Sequence, residues 1–464
     1  MKRNRLFVMF LALVGVVTFS ISCSSDDTDP QLLVDVDYDE IYKDAIYMTL
    51  DNIVNFDDLP ETSTWVIEDS YAYASYGDLG DFADLHAALK VAYDAEYDVD
   101  IVFPNLQEIP EYAFYDCDDI KAMYFPVATS VGAYAFYSCD DVDYISVPKA
   151  QSIGKYAFYS CDELLSLYLP EVTSIAECAF RSCYDLFVIY LPQITSIPQY
   201  AFYDCLDLYT TTFSEVVTVG DYAFYNCQTM EAIYLPKATT IGDYVFSRCY
   251  DLATVSLPIA TTFGSHVFSY DYDLVKISLP SAVTIGSHIF YCCDDLTSVS
   301  LPKVVTVGEY AFTSCDELTS ISLPEATTVG DYAFSFCETL ETITAEKLTS
   351  IGMAFYSCQY VTSISLPLIT EIEDKAFSYC TLLYKLYTPK ATSIGVQAFY
   401  GCEEITTFEF ATEGTIESVA ADAFDNSHIT MLSLTTSSAN SGYFDNKTLT
   451  IGDFSGTFLN VIYK

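Results

Sequence analysis

At 464 residues the chain exceeds the length at which a single globular core keeps growing, so it must divide into domains or grow by repetition. Its 65 Asp and Glu outweigh 19 Lys and Arg, for a net charge of −46. That balance excludes nucleic acid as a partner and disfavours an anionic membrane surface, since every phosphate contact needs a cation.

The first segment reads as an export signal. Lys2, Arg3 and Arg5 form a positive start, and Leu6 to Val17 an apolar run too short for a comfortable membrane span. It ends in Ser20-Ile21-Ser22-Cys23, which resembles a bacterial lipobox, with Ser20 standing outside the strict pattern. The resemblance implies a signal peptide over residues 1–22 and Cys23 as the lipidated first residue of the mature protein. Residues 23–36 then form an acidic tether, too polar in Ser24 to Pro30 to bury and therefore flexible. Acidic residues just after the lipid-bearing Cys are similar to the signal by which some Gram-negative bacteria send lipoproteins outward. The expected location is the outer membrane, lipid-anchored and exposed at the cell surface.

Residues 37–103 read as an N-terminal cap: Leu79 to Tyr97 has apolar residues at helical spacing (Phe82, Leu85, Leu89, Ala92), and Val99 to Phe103 reads as a first strand. From there the chain repeats. Phe recurs from Phe114 to Phe424 in steps of 22 residues, save 21 into Phe355 and 25 into Phe424. Ala usually precedes the Phe, and Cys follows three residues later. Within one unit, Leu318, Ile321 and Leu323 show the alternation of a short strand with one face buried, and Pro324 ends it because proline cannot donate to a ladder. Val329 turns inward beside Gly330, read as supplying backbone angles that other residues resist. Ala333 and Phe334 point to the axis from a helical or 3-10 turn, and Cys337 follows. Such a unit buries too little alone, but stacked copies bury everything. The solenoid spans residues 104–424, and residues 425–464 form a C-terminal cap with Leu449, Ile451, Phe454 and Phe458 to cover the last rung.

The pattern Leu318-x-x-Ile321-x-Leu323-Pro324, then Val329-Gly330-x-x-Ala333-Phe334-x-x-Cys337, resembles the BspA-like class of bacterial leucine-rich repeats from about Ile101 to Phe424. The resemblance implies an α/β-type repeat solenoid, with one short parallel strand per rung and helical or 3-10 turns opposite. It also implies a surface protein that binds matrix proteins, other bacteria or other ligands, and it brings no catalytic residues. Departures are local: Asp271 and Ser427 replace the Cys, and Ser214 and Glu346 the Pro.

Four sets of residues invite sharper readings. Thirteen cysteines share one column; bridging would distort an in-register stack and no Cys-x-x-Cys pair makes a zinc site, so they read as buried free thiols. Cys178 and Cys292 lie off the column and are expected to be partly exposed. His266 and His288 replace Tyr in the column of Tyr112, Tyr134 and Tyr156, and two imidazoles without a third ligand read as substitution in an aromatic column. Acidic pairs such as Asp118-Asp119 and Asp140-Asp141 read as a solvated ridge, since the glycine signature of calcium repeats is missing and an active site needs one exceptional position. Tyr124, Tyr144, Tyr168, Tyr190 and Tyr234 fall between buried strand positions, on the wet face, where Tyr suits protein or sugar recognition.

These residues predict an adhesin-like surface lipoprotein whose ligand is a protein or glycan, such as a host matrix protein or mucin. It needs no cofactor or metal, touches membrane through its lipid alone, and acts as a monomer. The rival readings are an envelope structural or periplasmic interaction scaffold and, further off, a glycan-acting enzyme.

Overall fold

A computed structural model describes residues 98–427 apart from 119, together with the segments 17–22, 31–36, 46–48, 62–67, 433–445, 448–451, 454–457 and 460–463. Residues 1–16, Cys23 to Pro30, the helical pattern of residues 79–97 and Phe458 lie outside the described residues.

The rungs are built on two strands. The longer buries its middle residue, as in Ser320–Ser322, where Ile321 is inside and both serines are exposed. The shorter follows the Pro corner, as in Thr328–Val329, with Thr out and Val in. The chain divides into two compact units, Met1–Glu215 and Val216–Lys464.

In the first unit the longer strands form one parallel sheet: Ile46–Met48, Thr62–Ile67, Asp98–Val102, Ala122–Tyr124, Tyr144–Ser146, Ser166–Tyr168 and Val188–Tyr190. Asp98–Val102 is the strand read near Val99, and the sheet runs on into the N-terminal segment. The shorter strands, Glu108–Ile109 to Ser174–Ile175, stack as a second parallel sheet. In the second unit the shorter strands from Thr218–Val219 to Thr328–Val329 do the same, and the longer ones continue through Ser433–Thr436 to Asn460–Tyr463.

Register keeps like on like: Leu167 pairs with Ile189, and Ile321 with Ile343. The short rung then pairs Ile343 with Ile364. Its missing residue comes out of the corner, where Gly352 takes a φ of 46°, open to glycine without a Cβ penalty, and the shorter strand shrinks to a single bridge from Thr328 to Ser350.

The turn opposite the sheets is not the helix or 3-10 turn expected from the sequence. Left-handed residues bound it, such as Tyr134 (φ 56°) and Ser138 (φ 52°), and a right-handed helix cannot pass through them. Its donors go to the next rung: the N–H groups of Tyr134, Phe136 and Ser138 donate to the carbonyls of Lys155, Ala157 and Tyr159 at 2.9, 2.7 and 2.7 Å. The corner glycines also have a different cause from the one expected. Gly132 and Gly330 do not use left-handed angles; a Cβ there would lie 2.5 Å from the backbone nitrogen of Glu111 or Glu309 on the preceding rung. Close stacking favours glycine there, although Pro110, Ala176, Pro198, Glu373 and Ala420 occupy the same corner in five rungs.

The core is a set of ladders. Phe136 and Phe158 stack at 5.1 Å and Phe290 and Phe312 at 5.3 Å, all fully buried. Burying one such side chain contributes about 1.5–3 kcal/mol. The column thiols are buried and free, as expected, and most also donate to the preceding rung, such as Cys139 Sγ to the Phe114 carbonyl at 2.9 Å and Cys337 Sγ to that of Phe312 at 3.0 Å.

Candidate functional site

The five sheet tyrosines do not form one row. Tyr144 pairs in register with Ser166, two positions ahead of the column that holds Tyr124, Ser146, Tyr168 and Tyr190. Tyr124 is 5% exposed, so the expectation that it faces water is wrong; Tyr144, at 5.7 Å, packs against it. Tyr168 and Tyr190 are half-buried and stack at 5.2 Å with 12° between their planes. Tyr234 is half-buried in the second unit, where the next rung carries Ser256 in its column.

Beside Tyr168 and Tyr190 the structure gathers residues that the sequence reading missed. Leu165, Phe187 and Tyr209 immediately precede the longer strands Ser166–Tyr168, Val188–Tyr190 and Thr210–Thr212 and are 42%, 46% and 38% exposed. Their backbones ladder directly, Phe187 N–H to the Leu165 carbonyl at 3.0 Å and Tyr209 N–H to that of Phe187 at 3.1 Å, and the Phe187 and Tyr209 rings stack at 5.3 Å. A signal was present: the same column holds Lys121, Asp143, Glu231, Thr297 and Thr319, with Ala253, Val275 and Tyr384 as its other apolar members, so three large apolar residues on successive rungs break its habit. The result is an exposed apolar run on three successive rungs of the first unit, the kind of surface that marks an interaction site.

The opposite face of this unit has its own aromatic array. Tyr112, Tyr134 and Tyr156 stack at 4.8 and 5.1 Å, and Tyr115, Tyr137 and Tyr159 beside them at 4.9 and 4.7 Å. One rung on, Cys178 and Arg181 stand in these two columns. Cys178 is buried rather than partly exposed, in a column between Tyr156 and Tyr200, and Arg181 lays its guanidinium over Tyr203 (4.5 Å) and Tyr200 (5.4 Å); Cys292 is half-buried, as expected.

Family-level comparison fits this frame. The model of the BspA type leucine rich repeat region matches residues 97–208, 151–275, 195–306, 283–390 and 370–461. The chain belongs to the BspA-type leucine-rich repeat family. A leucine-rich repeat protein from Bacteroides ovatus is 21% identical, covers 87% of this chain and 98% of its own, and superposes with a TM-score of 0.53, which shows the fold alone. A leucine rich cell surface protein from Faecalibacterium prausnitzii is 19% identical over 81% of this chain and 93% of its own, with a TM-score of 0.35. No curated protein matches the chain.

Against the BspA-type frame the irregular positions stand out. In the second unit, His266 and His288 stack at 4.3 Å inside an aromatic run from Tyr244 to Tyr310. Burial, then the neighbouring imidazole, lowers His266 to about 4, and burial lowers His288, so both act as neutral rings. Asp271 takes the Cys position, fully buried, accepting from Cys249 N–H at 3.0 Å through Oδ1 while Oδ2 finds no partner; burial pushes its carboxyl well up. On the acidic ridge, burial and then Asp140 raise Asp162 to about 6. Among the described residues no group of three His, Cys, Asp or Glu is arranged to hold a metal.

The longest rung, into Phe424, adds a loop over the shorter strands. Asn440, fully buried, fixes it by donating to the carbonyls of Ala411 (3.1 Å) and Gly414 (3.0 Å) and accepting from Ile416 N–H (2.9 Å). A concavity of about 510 Å³ under it is lined by Glu371, Lys390, Thr392, Glu413 and Glu417.

Proposed function

We propose that this BspA-type protein is a surface lipoprotein, anchored through Cys23 to the outer membrane and acting as a monomer. It binds a macromolecular ligand, such as a matrix protein or mucin, in an adhesin-like way. The observation that carries the binding reading is the exposed run of Leu165, Phe187 and Tyr209, on rungs that also carry the half-buried Tyr168–Tyr190 stack. A water-facing Phe and Leu stacked on successive rungs do nothing for the core, whereas an interface uses such residues as its apolar centre. The repeat frame supports it, since its buried columns are spent on packing and leave recognition to outward positions. Anchoring and export rest on the lipobox-like Ser20 to Cys23.

Two measurements test the reading. Protease added to intact cells should degrade the solenoid; protection would favour the periplasmic scaffold instead. The full chain, screened against matrix proteins, mucins and polysaccharides, should bind at least one, and Phe187→Ser should weaken that binding by more than tenfold, about 1.4 kcal/mol. A ligand bound equally well by the Phe187→Ser chain would move the site elsewhere.

A further inference from the structure

We propose a second binding site, separate from the exposed run around Phe187: Arg181, set among Tyr159, Tyr200 and Tyr203 on the turn side of the first unit, takes the carboxylate of an acidic sugar. Two aromatic columns run along this side, one through Tyr112, Tyr134, Tyr156 and Tyr200, the other through Tyr115, Tyr137, Tyr159 and Tyr203. Over the five rungs from Phe114 to Phe202 both columns break at the same place, the rung of Phe180, where Cys178 and Arg181 stand for Tyr. A site is expected where a chain departs from its own local rule, and this rung departs twice.

The guanidinium is held by rings alone. Its carbon lies 4.5 Å from the centroid of Tyr203, 5.4 Å from that of Tyr200 and 5.9 Å from that of Tyr159. Among the described residues it has no hydrogen-bond or ion-pair partner, although the chain carries 65 Asp and Glu against 19 Lys and Arg. Nε is buried without an acceptor, a cost that a Tyr in this column would not carry. The two amino groups reach water. Stacking on phenols uses the faces of the guanidinium and leaves its edge, whose parallel N–H donors match both oxygens of a carboxylate. Lys155, with its ammonium over Tyr156, is already paired to Glu177 at 2.7 Å, so Arg181 is the cation left for a ligand on this rung.

The surroundings select the source of the carboxylate. Three phenols supply ring surface for sugar C–H groups and hydroxyls that both donate and accept. An acidic protein segment brings several charges into the field of a chain at −46, whereas a sugar with one carboxylate brings a single charge.

The test is calorimetry on the full chain with sialyllactose and a disaccharide ending in glucuronate, each as the free acid and as the methyl ester, and with a short peptide alternating Glu and Ser. At least one acidic sugar should bind, its ester and the peptide at least tenfold more weakly. Arg181→Tyr, which continues the column, should weaken binding at least tenfold with no fall in melting temperature. Arg181→Lys should weaken it severalfold, because an ammonium keeps the charge and loses the fork. The proposal is overturned if neither acidic sugar binds, if the ester binds as well as the acid, if the peptide binds more tightly, or if Arg181→Tyr binds as before. A marked fall in melting temperature for Arg181→Tyr would overturn it too, by making Arg181 a packing residue. None of these results touches the reading built on Phe187.

Discussion

Strands Ser166–Tyr168 and Val188–Tyr190 in the first unit share their frame with Lys276–Ser278, Ser298–Ser300 and Ser320–Ser322 in the second. Inside, Leu167 and Ile189 match Ile277, Val299 and Ile321, all buried. Outside, the first unit presents Tyr168, Tyr190 and Phe187, and these strands of the second present serines and Lys276, with Val275 their one exposed apolar residue in the column of Phe187. The contrast separates two kinds of constraint. Stacking at one rung spacing forces each buried column to repeat, since a change in one rung strains both neighbours. Water imposes no such demand, so a run of aromatics on an outward column is retained for something other than packing.

The largest effects are expected in the core. Phe290→Ala in the second unit and Phe158→Ala in the first should each cost about 3–5 kcal/mol in chemical denaturation. Unequal losses would mean that the two units do not share one packing logic. Asp271→Cys restores the second unit's broken column and should stabilise it by about 1–3 kcal/mol at pH 7, because a buried carboxyl oxygen without a partner is removed. The sign with pH is fixed by the raised folded value. The Asp271 contribution is fully present below the ordinary carboxylate range and is lost as pH rises toward that folded value, so the advantage of Asp271→Cys should shrink near pH 4. His266 works in the opposite sense. Its value is lowered from 6.5 to about 4, so the stability it contributes is present above pH 6.5 and lost as pH falls through that window. His266→Tyr should therefore flatten the acid-side fall in melting temperature by a few degrees, and an unchanged profile would remove the histidine pair from the account. Smallest of all, Phe187→Ser should change stability by no more than about 0.5 kcal/mol while weakening ligand binding. A stability loss comparable to that of Phe158→Ala would show that the patch belongs to the core.

The columns of Phe, Leu and Cys were legible in the sequence because a buried position repeats at the rung period, and so was the strand that Ile321 and Leu323 mark. Two local causes were not legible. Ala333-Phe334 is as compatible with a helical turn as with the observed one, since the choice lies in the left-handed angles at Tyr332 and Ser314-type positions, taken by ordinary residues and held by hydrogen bonds to the next rung. The corner glycines signal a special site, but whether angle or space demands them depends on the neighbouring rung's backbone.

The candidate site divides in the same way. Tyr168 and Tyr190 were identifiable as outward strand positions, whereas Tyr124 carries the same residue type in the same column and is buried. Exposure on a sheet depends on which side chains flank a position across rungs, and those flanks are set by register. By itself the sequence determined the repeat, its family resemblance, its buried columns and the acidic surface, because each follows from residue type and spacing. Only the tertiary structure decided that Leu165, Phe187 and Tyr209 form one exposed run and that Tyr168 stacks on Tyr190, because residues 22 apart in the chain become neighbours only once the rungs stack.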